Sequence, residues 1–315
     1  MKAILALAAL LLTACSTLPA TIVPPVPLVD YHQHLVSEPW APIAKKPVRD
    51  AAALLAEMDR AGIRRAVVLS VGYSFADERK GLADPDRLTR EENDWTSSQV
   101  AGTRGRLIGF CSANPLRDAA LAEIQRCLGL PAMRGIKLHA GNSGVTLRNP
   151  VHVARLQKLF VLAQARRVPI LIHMRPRGGA DYGAKDVTIF LDRLMPLAPS
   201  VPVIIAHLGA SSPGYPAQND EVMGAFAAAI QRGDRRVANI YFDPSGNVDK
   251  DLSAADGALI ARRMRQIGMR RFVYGTDLTF PDATIAEGWL LFRTRVPLTP
   301  AELRTIANNR LAFTR

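Results

Sequence analysis

Short apolar runs alternate with amphipathic helical stretches from Pro27 onward, and this alternation restricts the available folds more than any other feature of the chain. The runs Leu28–His34, Ala66–Val71, Leu107–Ser112 and Gly135–His139 read as strands, as do Ile170–His173, Val203–His207, Asn239–Phe242 and Phe272–Gly275. Between them, Val48–Ala61 places Ala52, Leu55 and Met58 on one helical face, and Val151–Arg166 does the same with Ala154, Leu156, Leu159 and Leu162. Further helices are predicted over Leu116–Leu128, Val187–Leu197, Val222–Gln231 and Ser253–Ile267. Eight strands with helices between them predict an α/β protein with a (β/α)8 TIM barrel built as a single domain. A doubly wound open sheet fits less well, because no glycine-rich phosphate loop follows the first strand. Length agrees: such a barrel uses about 250 residues as one unit, and 48% hydrophobic residues suffice for a large core. The longest predicted loop, Gly72 to Thr89, follows the second strand and is expected to act as a lid.

The first residues stand apart from this pattern. Lys2 precedes an apolar stretch, Ala3–Leu12, that is too short to span a bilayer as a helix. Leu12-Thr13-Ala14-Cys15 resembles a bacterial lipoprotein processing site, at which Cys15 is lipidated and becomes the new N-terminus. The expected organisation is a signal peptide over 1–14, a proline-rich tether over 15–27 and the barrel over 28–315. The membrane is then a partner through the lipid anchor, and Ser16 resembles the pattern sorted to a periplasm-facing outer membrane. A plain secretory signal cut near Ala20 is the competing reading. The formal charge of +12 favours acidic substrates, anionic lipid or nucleic acid, or else is a solvated basic face. Cys111 and Cys127 lack metal-ligand spacing and are expected to be buried thiols, with a disulfide open to them in an oxidising compartment.

Of the six histidines, His32, His34, His139, His173 and His207 fall at the C-terminal ends of predicted strands, where a barrel presents its catalytic groups. Only His152 starts a helix. Alternation along a strand puts Asp30, His32 and His34 on one face, and two imidazoles so spaced can bind one metal. A lone imidazole ends the fifth strand at His173 and the sixth at His207, and Asp277 follows the eighth. Singly, each fits a satisfied polar core residue. Together they do not, because burying an ionisable group costs free energy unless it is paired or metal-bound.

The order DxHxH, then His, then His207-Leu208-Gly209, then Gly275-Thr276-Asp277 resembles the amidohydrolase superfamily, specifically its amidohydrolase-2 branch. Gly135-Ile136-Lys137-Leu138-His139 and Ile306–Leu311 support the likeness, which runs from Leu28 to the end of the chain. The resemblance implies that His32, His34, His173 and Asp277 hold a divalent metal, with zinc the expected ion. His207 would polarise substrate and water or complete a second metal site. Asp277 would also carry a proton from water to the leaving group, and Asp30 would fix an imidazole tautomer by hydrogen bonding. In binuclear relatives a carboxylated lysine on the fourth strand bridges two metals. Lys137 and His139 face inward together and either could reach the site, although Lys137 could equally pair with a substrate anion or an internal carboxylate; one ion is favoured over two.

The loops at the predicted mouth carry Arg79, Lys80, Arg148, Arg175, Arg177 and Lys185. Arg175, two residues after His173, is expected to clamp the carboxylate of a small anionic substrate, the alternative being solvated loop charge. Hydrolysis of an ester, lactone or amide is the leading expectation, and non-oxidative decarboxylation of an aromatic or unsaturated acid the alternative. A TatD-like nuclease ranks lower, because such enzymes carry Glu where this chain has Lys137, so nucleic acid is not an expected partner. A non-catalytic binding lipoprotein ranks lower too, because no member of the ligand set is missing.

Overall fold

Seven strands form one parallel sheet in strict chain order in the computed structural model, which describes residues 25–277 and 284–315. They are β1 (Val29–Gln33), β2 (Arg65–Leu69), β3 (Leu107–Ser112), β4 (Met133–His139), β5 (Ile170–His173), β6 (Val203–Ile205) and β7 (Ile240–Phe242). The predicted signal peptide and Cys15 lie outside the described residues, as does the tether apart from Pro25–Pro27.

The strands are apolar on both faces because both faces are covered. Val29, Tyr31, Val67, Leu69, Phe110, Leu171 and Ile204 point into an inner cluster. Their neighbours Ala66, Val68, Ile170, Ile172, Val203 and Ile205 point outward into a larger cluster shared with the helices. The sheet therefore curls around its own core. Phe313 packs under this inner cluster against Tyr31 and Phe110, with ring centroids 6.0 and 5.7 Å away.

The eighth predicted strand, Phe272–Gly275, does not form a regular strand. A single parallel bridge joins Phe272 to Phe242. The segment still spans β7 and β1: Val273 N donates to Phe242 O (3.0 Å), Tyr31 N to Tyr274 O (2.8 Å), and Asp277 N to His32 O (2.8 Å). Seven strands rather than eight thus form among the described residues. Glycine and the turn into Asp277 interrupt the ladder where the site requires an irregular backbone.

Two further expectations are corrected. Gly72–Thr89 is not an open lid: it contains a helical turn at Gly72–Phe75, a 3-10 turn at Glu78–Lys80 and the start of a long helix, Pro85–Ala101. Tyr73, Ser74 and Phe75 are buried, and Thr89 Oγ1 donates to Gly72 O (2.9 Å). Asp84 caps the helix and Pro85 occupies its first turn, a start signal visible in the sequence. Cys111 on β3 and Cys127 at the end of the helix Ala120–Cys127 form a disulfide and are not free thiols. No helix among the described residues is long and apolar enough to cross a membrane.

Candidate metal centre

His32 and His34 leave the end of β1 and meet His207 and Asp277 at the C-terminal edge of the sheet. Each of these three rings has its Nδ1 occupied by the protein. His32 Nδ1 faces Asp243 Oδ2 (3.1 Å) and Ser245 Oγ (3.0 Å). His34 Nδ1 donates to Leu69 O (2.7 Å), and His207 Nδ1 donates to Ser245 O (2.7 Å). An imidazole whose Nδ1 carries the proton presents a lone pair at Nε2. Those Nε2 atoms converge on one carboxylate. His32 and His34 lie 3.8 and 3.6 Å from Asp277 Oδ1, whereas His207 lies 3.9 Å from Oδ2.

These separations are too long for hydrogen bonds. They are close to what a cation needs, since ligands about 2.1 Å from a tetrahedral zinc stand about 3.4 Å apart. Ligand atoms of His32, His207 and Asp277 all lie within 4.8 Å of one another. The donor set fits a divalent metal.

The backbone is bent to achieve this. Asp277, His207 and Leu208 have φ of 56°, 54° and 47°, in the left-handed region that side chains disfavour. Specific bonds hold them there. Leu208 N donates to Asp243 O (2.9 Å), and the buried Asn219 donates from Nδ2 to His207 O (2.7 Å). Gly275 serves by its lack of a side chain: a Cβ there would lie 2.8 Å from the Cβ of His32. The Gly-Thr-Asp motif is thus steric at its first residue and brings a carboxylate to the three imidazoles at its last.

Burial and neighbouring positive charge favour the neutral form of His34, His139, His173 and His207. Burial lowers the pKa of His34, and His32 and Lys137 add to the effect; for His173, burial is followed by His139 and His207. Burial likewise lowers His139 and His207, with Lys137 next for the former and His32 for the latter. Lys137 is pushed down to about 8 by burial, against the pull of Asp277 and Asp243. For Asp243, burial acts to raise the pKa, but attraction to His32 and His207 and the bonds from His32 and Ser245 outweigh it and hold the carboxyl below its usual range.

Several residues sit differently from expectation. Asp30 touches no imidazole: its carboxylate accepts from His32 N (3.0 Å), Gln33 Nε2 (2.8 Å), and Thr276 N (3.1 Å) and Oγ1 (2.6 Å). It anchors the Thr276 turn to β1, and Asp243 takes the role of fixing a tautomer. His173 lies outside the converging trio, stacked on His139 at 4.0 Å and 5.0 Å from the His207 ring. His139 Nδ1 accepts from Asn142 N (3.2 Å), so its Nε2 carries the proton. Lys137 Nζ donates to His32 Nε2 (3.3 Å).

Most of the mouth cations are already paired. Arg79 and Arg177 both bind Asp77, Lys80 donates to Ser74, and Arg148 binds Asp186. Lys185 is exposed. Arg175 differs: its buried Nε has no partner among the described residues.

Sequence reasoning missed Asp243 and Ser245. Asp243 directly follows β7, so the strand-end rule that singled out the histidines reaches it as well.

A curled parallel sheet with imidazoles and a carboxylate gathered at its C-terminal edge defines a metal-dependent α/β enzyme. The amidohydrolase profile matches residues 29–309, and the chain belongs to the amidohydrolase family. Among solved structures it is similar to a 2,6-dihydroxybenzoate decarboxylase from Rhizobium, at 17% identity over 90% of this chain and 96% of that one (TM-score 0.57). It is similar as well to a Pseudomonas putida protein assigned as a 2-pyrone-4,6-dicarboxylic acid hydrolase, at 15% identity over 90% and 94% (TM-score 0.57). An amidohydrolase II matches at 19% identity over 88% and 96% (TM-score 0.62). At these identities the likeness concerns the fold. No curated protein matches the sequence.

Proposed function

We propose that this chain is a metal-dependent hydrolase that opens an ester, lactone or amide of a small anionic substrate. The observation that carries this is the division of labour at Asp277, whose Oδ1 faces His32 and His34 while Oδ2 faces His207. In this reading His32, His34 and Asp277 Oδ1 hold one divalent ion, zinc by expectation, and His173 completes the set as the family resemblance implies. The buried Nδ1 of His173 has no partner among the described residues, so no hydrogen bond there fixes its ring against turning toward the ion. When bound, a divalent cation supplies the Lewis acidity that makes water nucleophilic at neutral pH. Asp277 Oδ2 accepts the proton of the attacking water and returns it to the leaving group. His207, neutral and held through Ser245 O, orients that exchange from the opposite side. Neutral His139 offers its Nε2 proton to the substrate, and Arg175 its guanidinium to a substrate carboxylate.

The same groups suit decarboxylation, a reading favoured by the Rhizobium neighbour, which is named as a decarboxylase. Metal analysis of protein lacking residues 1–15, followed by esters, lactones, amides and aromatic acids, separates the two. Hydrolysis without CO2 release supports the first reading, and CO2 release the second. Protein that holds no metal and gains no activity from zinc, manganese or iron overturns both.

We further propose that Phe272–Asp277 closes the sheet as the eighth member of a barrel, supported by its bonds to both β7 and β1. Residues 1–14 are proposed as a signal peptide and Cys15 as the anchor that holds the enzyme at the periplasmic face of the outer membrane. The Cys111–Cys127 disulfide supports an exported location, where such bonds persist.

A further inference from the structure

The charge of +12 is not spread evenly. In a parallel sheet every strand starts at one edge and ends at the other. The segments that run from the helices into β2–β7 and Phe272, together with residues 309–315, hold eleven arginines, no lysine and one acid, Asp234. The seven segments that leave β1–β7 for the next long helix, around the metal centre, hold ten cations and ten acids. The excess charge therefore sits at the edge away from the site.

Little of it is neutralised. Arg106 pairs with Asp59, and Arg236 with Asp192 and Asp234. Arg64, Arg104, Arg167, Arg235 and Arg270 are exposed, and none of their guanidinium groups forms an ion pair among the described residues. Exposed Arg134 joins them at the start of β4. These six stand at the starts of β2, β3, β4, β5, β7 and the Phe272 segment, one for each.

We propose that this ring of arginines is a docking surface for an anionic lipid bilayer, seating the enzyme on phospholipid headgroups with its metal centre facing away. Three observations favour lipid. The charges are distributed around an edge, which suits a surface of spread charge. The only aromatic residue in these segments is Phe313, half-buried against Tyr31 and Phe110, so there is no stacking platform of the kind single-stranded nucleic acid uses. The chain reaches β1 through Pro25–Pro27 at this same edge, ten residues after Cys15. Extended chain of that length spans at most about 35 Å. An acyl anchor and a basic patch are the two signals that together hold a protein stably at a membrane. The proposal borrows the location of the membrane from the anchored reading, but the contact itself does not require the anchor.

The test uses the full chain carrying Cys15→Ser, which cannot be acylated, and sedimentation with phosphatidylcholine vesicles with or without phosphatidylglycerol. Binding is expected only with phosphatidylglycerol and should weaken steeply as salt shortens the screening length. At roughly fivefold per arginine, Arg64→Glu/Arg235→Glu/Arg270→Glu should weaken it at least about a hundredfold. The equally charged Lys45→Glu/Lys158→Glu/Lys250→Glu should change it less than about threefold. If the first triple does not fold, Arg104→Ser/Arg134→Ser/Arg167→Ser takes its place. Absence of binding to phosphatidylglycerol vesicles overturns the proposal, as does equal weakening by the lysine triple. Tighter arginine-dependent binding to duplex DNA than to vesicles also overturns it. The anchored reading is judged separately, by the mass of Cys15 in the chain purified from membranes: an unacylated Cys15 removes the anchor and leaves the vesicle result standing.

Discussion

His207, buried, and His173, partly buried, are neighbouring imidazoles with ring centres 5.0 Å apart, yet the protein treats them differently. His207 is fixed: its Nδ1 donates to Ser245 O, its carbonyl accepts from Asn219, and its backbone is held in a strained region. His173 has a regular strand behind it, an aromatic partner in His139 and no hydrogen bond at Nδ1 among the described residues. Nearby Arg175 Nε also lacks one. The imidazole after β6 is therefore fixed by the protein's own bonds, whereas after β5 His173 Nδ1 and Arg175 Nε have no protein partner among the described residues. A rigid imidazole beside Asp277 Oδ2 suits proton handling, and an unbound ring suits a ligand or substrate contact.

The largest expected effect follows from removing the carboxylate that the fixed imidazole faces. Asp277→Asn should lower kcat by more than about a thousandfold and weaken metal binding, since one residue serves both tasks. Retained activity with full metal would show that Oδ1 and Oδ2 do not divide the work. Asp243→Asn is next. Loss of the carboxylate that fixes His32 should cost roughly 10–100-fold in metal affinity, read by competition with a chelator. An unchanged affinity would mean that fixing a ring by the protein's own bonds contributes no preorganisation. Arg175→Ala probes the unpartnered side: KM for carboxylate substrates should rise at least about tenfold with kcat little changed, while neutral analogues keep their KM. If KM for every anionic substrate stays the same, Arg175 is not the clamp.

A smaller effect lies behind β1. Glu92 is buried against Ser37, and burial raises its pKa to about 7, beyond what the Ser37 bond restores. The unfolded chain sheds this proton near pH 4.5. Between there and about 7 the folded state holds more protons, so stability falls as pH rises. Glu92→Gln should therefore gain up to about 3 kcal/mol over the parent above neutrality and little near pH 4, measured by denaturant unfolding. A pH-independent difference would sink the assignment.

Much of this was legible in the sequence because strand ends are where a parallel sheet presents polar groups. That rule singles out His32, His34, His173, His207 and Asp277, of which the structure gathers all but His173 around one carboxylate, and the hydrophobic runs mark all seven strands. The misses have specific causes. Asp30 shares a face with His32 by alternation, but the Thr276 turn, distant in sequence, claims its carboxylate. Asp243 directly follows the predicted strand Asn239–Phe242, but nothing in its neighbourhood marks it as the partner of His32, 211 residues away in sequence. The helices Ile285–Arg295 and Pro300–Asn308 carry capping boxes, Thr284 with Glu287 and Thr299 with Glu302, a start signal legible in the sequence. The disulfide depended on a pairing of β3 with its helix that spacing alone does not reveal.

The contrast between the two imidazoles is tested most directly by metal content in a matched pair of variants, purified and loaded alike. The account predicts that His173→Ala loses most of its metal, while His207→Ala keeps close to one equivalent and loses turnover. The reverse, with His207→Ala emptied and His173→Ala still loaded, would contradict it and make the close grouping of His32, His207 and Asp277 the metal site.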